Sequence, residues 1–474
     1  MTLKGSRYNI AVDTADGTND VLLYNTATSG LVRVDASTFD GLRGLFGHRG
    51  RGLPDDHAPP APTDLAPELL DTLTTSGFLV PRERDEVGVL RRAFVRARQS
   101  KDLSFVIGMS MACNFDCPYC FEEHRPEHMS RSTAAAVRRF ILERVRAAGA
   151  RSVYINWFGG EPLLASEVLI ELSSQLSADS ETLGFRYDTM VITNGALLDG
   201  EMARRLASAG VGRAQVTIDG PRDVHDRRRP FRGGQPSYDR ILSNLREAHT
   251  ELRLRIRVNV DRDNQPHVPQ LVRELGAAGL LHGPHAAEIY VGKVTSYTAQ
   301  VESPGELLSV DDLVDIDEPV HAALQALNAP AAAQRPRSVL LSVSRGGCSA
   351  TREHSFVIGS RGQLFKCELG IHDDRQAVGS VHPEGEMPPP RPAKAKKRLA
   401  VLGGPSRAAG VFGSAALDWA RFNPYDQDKC RTCQFVPVCK SGCPKVVMEG
   451  EADDTICRFW DDSVGDLVRR LAAE

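Results

Sequence analysis

Three thiols mark the first place where this chain could do chemistry. Cys113, Cys117 and Cys120 fall within MACNFDCPYCFE, so three thiolates inside eight residues can wrap one metal centre. An iron–sulfur cube takes a thiolate at each iron, and three protein ligands would leave one iron open to a chelator from outside the chain. A zinc knuckle completed by His124 or His128 is the other chemistry these residues allow, because zinc accepts mixed Cys/His sets.

The other seven of the ten cysteines, Cys348, Cys367, Cys430, Cys433, Cys439, Cys443 and Cys457, all lie in the C-terminal third. Their order reads C-x13-G-x4-C through Gly362, then C-x2-C-x5-C-x3-C, then a last Cys. The start, MTLKGSRYNIAVDTADG, lacks a charged residue followed by an apolar core, and no run of about 18 apolar residues occurs. The reading is therefore a cytoplasmic chain with no membrane partner. In a reducing compartment, clustered cysteines point to metal or redox chemistry and not to disulfides. A pair of structural zinc sites is also compatible with C-x2-C-x5-C. The net charge of -3 over 474 residues makes no large single-sign field, so composition argues for neither a nucleic-acid backbone nor an anionic membrane as partner, and no nucleic-acid partner is expected.

These cysteines need elements to hold them. Residues 1–84 read as a small α+β module: the runs YNIAVD, DVLLYNT and LVRVDA are β-type, and TFDGLRGLF and PELLDTLTTSGFLV are helix-like. Residues 85–102 read as a linker helix with Val87, Leu90, Phe94 and Val95 on one face. Over 103–300, six apolar, β-branched runs alternate with helices: LSFVIGMS, SVYINWF, DTMVITNG, RAQVTIDG, LRLRIRVNV and AEIYVGK. Repeated βα units imply a parallel sheet with right-handed crossovers, and six of them suit a partial (β/α)6 barrel. Residues 301–474 read as cysteine-bearing loops with a Pro/Lys-rich insertion at 387–410.

In a parallel barrel, ligands sit at the C-terminal ends of the strands. The cysteine loop follows the first strand, Gly159-Gly160-Glu161 the second, Thr193-Asn194 the third and Asp219 the fourth, with Arg257 and Asn259 towards the end of the fifth. Glycines after a strand are also ordinary turn formers, and Asp219, His225 and Arg228 also suit capping or structural hydrogen bonds.

The spacing C-x3-C-x2-C, with Tyr119 before the last Cys, resembles the signature of the radical S-adenosylmethionine superfamily. That resemblance implies a cube whose open iron is chelated by the amino and carboxylate groups of S-adenosylmethionine, and an electron that cleaves the cofactor to a 5′-deoxyadenosyl radical. It implies cofactor contacts at Gly159, Gly160 and Glu161 for the ammonium, at Thr193 and Asn194 for the ribose and carboxylate neighbourhood, and at Tyr119 for adenine. Arg257 and Asn259 would add polar contacts, and Asp219 would be catalytic, accepting a proton in a polar wall that orients substrate.

The C-terminal cysteines closely resemble the SPASM auxiliary-cluster domain. The resemblance implies two further [4Fe-4S] clusters, one on Cys348, Cys367 and Cys443 and one on Cys430, Cys433, Cys439 and Cys457. The fourth ligand of the former stays open, with Glu353, His354 and Glu368 nearby in sequence. Enzymes of this kind commonly oxidise peptides, and the N-terminal module looks like a winged element that binds leader peptides by strand addition. The expectation is a peptide maturase that installs a thioether or carbon–carbon crosslink in a ribosomally made precursor, fed by an external one-electron reductant such as flavodoxin or ferredoxin. The alternatives are a sulfatase-type maturase that makes formylglycine and a non-catalytic iron–sulfur carrier or sensor.

Overall fold

The computed structural model describes residues 2–47, 60–294, 312, 318–330, 347–382, 414–450 and 454–473. The insertion read at 387–410 and the last residues of the barrel reading, 295–300, lie outside them. The chain divides into two units. One comprises the described parts of Met1–Gln99, Pro336–Arg352 and Arg421–Glu474; the other comprises those of Ser100–Arg335 and Glu353–Ala420.

The second unit holds six parallel strands, β6 (Asp102–Ser110), β7 (Ser152–Gly159), β8 (Arg186–Thr193), β9 (Arg213–Thr217), β10 (Arg253–Val260) and β11 (Glu288–Lys293), paired in sequence order. It is a partial (β/α)6 barrel, as the alternation of strands and helices implies. Val153, Ile155 and Trp157 of β7 and Ile256, Val258 and Val260 of β10 are buried in the core shared with the helices. Between β6 and β7, α4 (Arg131–Ala148) is capped by Ser130, whose hydroxyl accepts from Thr133 N, and ended by Gly149 at φ 55°. Its Val137, Ile141 and Val145 are buried on one face with Phe140 beside them. Each such side chain contributes about 1.5–3 kcal/mol when fully buried.

The sheet does not stop at six strands. β12 (Phe356–Ile358) pairs parallel with β6, and β13 (Gln363–Phe365) and β14 (Gly379–Ser380) follow antiparallel. The sequence reads this stretch as loops, because strands of two or three residues carry too little periodicity to register. Gly362 sits at φ 88° in the β12–β13 turn, a backbone conformation that suits a residue without a Cβ.

In the first unit, β2 (Asn9–Asp13), β3 (Val21–Asn25) and β4 (Gly30–Val34) form an antiparallel meander. Leu42 of α1 (Ala36–Leu42) and Leu73 of α2 (Pro67–Thr75) share a buried core with Leu23 and Val34. The helix read through residue 80 ends at Thr75. Gly77 at φ 85° turns the chain into β5 (Leu79–Pro81), which pairs with β1 (Leu3–Gly5). In α3 (Glu86–Arg98), Val87, Leu90 and Phe94 pack inward, but Val95 is 43% exposed. Eight residues on at 100° each, it stands ~80° around the helix from Val87. Glu86 is buried in its place and accepts from Ser6 Oγ at 2.6 Å and Arg7 N at 3.1 Å. Among the described residues, no helix is long and apolar enough to cross a membrane.

Candidate active site at the barrel mouth

The cysteine loop leaves β6 and is stitched down on both sides. Met111 N donates to Glu127 O at 2.8 Å, Asp116 N to Pro230 O at 3.0 Å, and Arg232 N to Asn114 O at 2.9 Å. Phe115 and Phe231 meet edge to face at 4.9 Å. Burial pushes the Cys113 and Cys120 thiols up to about 12, with further repulsion from Glu161 and Glu122 respectively, and pushes Cys117 up as well. The charges of the three thiolates act on one another, so they stand as one donor set. Among the described residues, no three Cys, His, Asp or Glu side chains converge as ligands of a single ion would. Thiolates on a cube stand further apart, each on its own iron, and binding removes their protons. His124 Nε2 lies 3.6 Å from Cys120 Sγ, beside the donor set.

Gly159 and Gly160 let the end of β7 run against this loop. A Cβ on Gly159, which sits at φ 129°, would stand 2.0 Å from Ser110 O, and one on Gly160 would stand 2.6 Å from Ala112 O. The tight approach allows Gly160 N to donate to Ser110 O at 2.9 Å and Glu161 N to Ala112 O at 2.8 Å. Glu161 is fully buried and ties β7 to β8. Its Oε1 accepts from Leu163 N at 3.0 Å and Thr193 Oγ1 at 2.8 Å, and its Oε2 accepts from Asn194 N at 2.8 Å. Burial raises its pKa against the pull of those donors. A carboxylate can accept about four hydrogen bonds, so Oε2 keeps room for one more donor. Asn194 Nδ2 reaches back to Asn114 Oδ1 at 2.7 Å and closes the ring to the cysteine loop.

A second network hangs from Tyr119. Its hydroxyl donates to Asp219 Oδ2 and accepts from Arg229 Nη1 at 2.5 Å; Asn259 Nδ2 stands 3.4 Å away. Asp219 Oδ1 accepts from Asn259 N at 3.0 Å. Arg228 Nε is 3.5 Å from Asp219, and its Nη1 is 2.7 Å from Asp261 Oδ2. His225 Nδ1 accepts from Asp219 N at 3.2 Å; burial and the two arginines hold it well below the usual imidazole range. Arg257 Nε donates to Asn259 Oδ1 at 2.7 Å. The mouth thus joins Tyr119, Asp219, Arg257 and Asn259 in one network and Glu161, Thr193 and Asn194 in another, each tied to the cysteine loop.

Two residues here escape a sequence reading. Arg229, in the run RRRP, looks like a solvated surface charge, yet it is buried over the rings of Phe115 and Tyr119. Burial opposes its charge, and the charges of Cys117, Tyr119 and Asp219 with the Tyr119 hydrogen bond outweigh that, so its pKa stands well above the usual guanidinium value. Glu122, two residues past Cys120, has an enclosed Oε2 with no hydrogen-bond partner. Burial, then the charges of Glu368 and Glu161, push it up to about 8.

Residues 107–277 match the family model of the radical SAM superfamily. The chain carries a radical SAM domain. Over 382 residues it is 23% identical to the serine-type anaerobic sulfatase-maturating enzyme of Klebsiella aerogenes, a match covering 75% of this chain and 84% of that protein. It is 26% identical over 175 residues to Fe-coproporphyrin III synthase of Methanosarcina barkeri; that match spans only 41% of the relative's length and 36% of this chain. Among solved structures, native anSMEcpe with bound AdoMet and Cp18Cys peptide aligns at TM-score 0.55 and 16% identity, covering 79% of this chain and 100% of that one. Streptococcus suis SuiB bound to precursor peptide SuiA aligns at TM-score 0.51 and 15% identity, covering 97% of this chain and 100% of that one. At these identities the structural likeness is one of fold.

Outside the radical SAM domain, Cys430, Cys433, Cys439 and Cys457 lie in the first unit. Each of Cys430, Cys433 and Cys439 is raised by burial first and then by the charges of others in the set. Between Cys439 and Cys443, Lys440, Ser441 and Gly442 are all left-handed, at φ 55°, 63° and 74°. Two non-glycine residues in that region carry strain of the kind found at functional turns. Lys440 is held there by Nζ donating to Pro437 O at 2.6 Å and Tyr425 Oη at 3.1 Å. Cys348 and Cys443 belong to the first unit and Cys367, just after β13, to the second.

Proposed function

We propose that this chain is a peptide maturase that oxidatively joins two positions of a ribosomally made precursor through a thioether or carbon–carbon bond. When bound by Cys113, Cys117 and Cys120, a [4Fe-4S] cube supplies the electron that cleaves S-adenosylmethionine to a 5′-deoxyadenosyl radical. Glu161 takes the cofactor's ammonium at the acceptor position left on Oε2, held in place by Thr193 and Asn194. Gly159 and Gly160 keep that carboxylate against the cysteine loop. Thr193 and Asn194 also border the ribose and carboxylate. Tyr119 borders the adenine, with Arg257 and Asn259 as further polar contacts. Asp219 Oδ2 accepts the substrate's proton through the Tyr119 hydroxyl, with Arg228 Nε 3.5 Å from that carboxylate and Arg229 Nη1 donating to the same hydroxyl. Cys348, Cys367 and Cys443, and Cys430, Cys433, Cys439 and Cys457, would hold two auxiliary clusters, which would supply an acceptor for the electron left when the new bond forms. A flavodoxin- or ferredoxin-like donor recharges the radical SAM cluster.

The observation that carries the crosslinking reading is the β2–β3–β4 meander, in which β4 pairs only with β3 among the described residues. An edge strand of this kind is a template on which a leader peptide adds a strand. The likeness to the peptide-bound Streptococcus suis protein also runs over 97% of this chain, against 79% for the sulfatase-maturase structure. The Klebsiella aerogenes relative supports the second reading, oxidation of a Ser or Cys side chain to formylglycine.

The test is anaerobic incubation of the reconstituted chain with S-adenosylmethionine, reductant and a peptide encoded beside its gene. Crosslinking gives 5′-deoxyadenosine and a peptide that loses a hydrogen pair without reacting with an aldehyde probe. An aldehyde-positive peptide selects the formylglycine reading. No 5′-deoxyadenosine from iron-loaded protein refutes both and leaves a non-catalytic iron–sulfur carrier.

A further inference from the structure

The two ends of the chain share a core. Tyr8, Phe94, Phe422, Tyr425 and Val436 are buried together, with Ala27 and Cys430 packed against them. Three hydrogen bonds span more than four hundred residues each. Thr26 Oγ1 donates to Gln434 O at 2.5 Å, Arg7 Nη2 to Arg431 O at 2.7 Å, and Arg469 Nη1 to Asp13 O at 3.0 Å. Arg431 lies between Cys430 and Cys433, and Gln434 directly follows Cys433. Arg469 belongs to the helix Asp454–Ala473, which carries Cys457 near its start and packs on β2 and β3. Thr26 and Gln434 are both buried, so the carbonyl of Gln434 has exchanged water for this hydroxyl.

We propose that the N-terminal β-module is the scaffold of the second auxiliary cluster, with Thr26 and Arg7 as positioning residues for the loop that presents Cys430 and Cys433. The inference rests on the auxiliary-cluster reading above and not on the peptide reaction. The loop from Cys430 to Cys439 has one four-residue helix, Val436–Cys439, and cannot hold its thiols by secondary structure alone. The module supplies what the loop lacks: an apolar floor at Tyr8 and Ala27 and two donors for its backbone carbonyls. Coupling of this sort is reciprocal, so iron at these cysteines orders β2 and β3 as much as the strands order the cluster.

The experiment uses the full chain with all clusters reconstituted. Thr26→Val keeps the shape and removes the donor, leaving a buried carbonyl unpaired. Under anaerobic challenge with a chelator, about one third of the iron, one cube of three, is expected to leave about tenfold faster than in the unmodified protein, with the rest unchanged. In a second arm, hydrogen exchange is followed at the amides of residues 8–25. Cys439→Ala is expected to lower their protection, and Cys117→Ala, which removes a ligand of the radical SAM cluster, is expected to leave it alone. Full iron loading with an unaltered release rate in Thr26→Val overturns the inference, as does equal protection in the two cysteine variants. If Cys439→Ala does not fold, the Thr26→Val release rate decides. An unmodified protein that never loads more than one cluster's worth of iron overturns the auxiliary-cluster reading and this inference with it.

Discussion

Substituting Gly160 by alanine tests whether the second strand end and the cysteine loop act as one rigid piece. Gly160 has an ordinary backbone conformation, so alanine costs nothing in φ; the penalty is contact alone. The added Cβ would stand 2.6 Å from Ala112 O, 2.9 Å from Ala112 C and 3.1 Å from Cys113 Cβ. The closest of these falls 0.8 Å short of the 3.4 Å at which ordinary contact begins, and that atom is backbone. Relief requires the Ala112–Cys113 backbone to move away from β7, which stretches the bonds from Gly160 N to Ser110 O and from Glu161 N to Ala112 O. Overpacking of this kind costs about 1–3 kcal/mol. A displacement approaching 1 Å in a reacting constellation costs about a hundredfold in rate. The expected result is a folded protein whose radical SAM cluster loses iron faster and whose yield of 5′-deoxyadenosine falls about a hundredfold. Gly195→Ala is the control: its Cβ would press on Val216 Cγ1 at 2.8 Å from a left-handed backbone, on the side of the core. It should destabilise at least as much and leave iron retention near that of the unmodified protein. Equal iron loss in the two variants would refute the reasoning.

Three further perturbations follow from the same networks. Tyr119→Phe removes the hydroxyl shared by Asp219 and Arg229, and losing a charge-assisted bond should cost about 1.5–3 kcal/mol of stability, read as a fall in the urea midpoint. Asp219→Asn leaves Arg228 to Asp261 alone and takes from Arg229 a carboxylate whose charge supports its own; about 3 kcal/mol of lost stability is expected, seen as a fall in the urea midpoint. His225 is buried and neutral, so its folded pKa lies below the unfolded value of about 6.5 and the unfolded chain binds the extra proton. Its contribution is present above that pH and declines as pH falls below it, by at most about 1.4 kcal/mol per unit. An imidazole resonance of His225 that stays at its neutral position down to pH 5.5 agrees; one that titrates near 6.5 does not.

What the sequence determined by itself is local. Three cysteines within eight residues specify a multidentate thiolate loop whatever surrounds them, and β-branched runs alternating with amphipathic helices specify a parallel sheet, because both signals depend on neighbours along the chain. The strand-end rule then carried Glu161, Asn194, Asp219 and Asn259 to one mouth. The tertiary structure decided what depends on distant partners. Arg229 reads as one of three equivalent arginines until Pro230 and Phe231 are seen to pair with the cysteine loop and draw it under. Glu122 looks solvated until the surrounding mouth encloses its Oε2. β12 has three residues and exists because the edge of β6 is there to pair with it. The joining of Thr26 to Gln434 across 408 residues has no local signature at all. Long-range pairing pays its loop-closure entropy only when packing rewards it, and that reward is a property of the folded core, not of any segment.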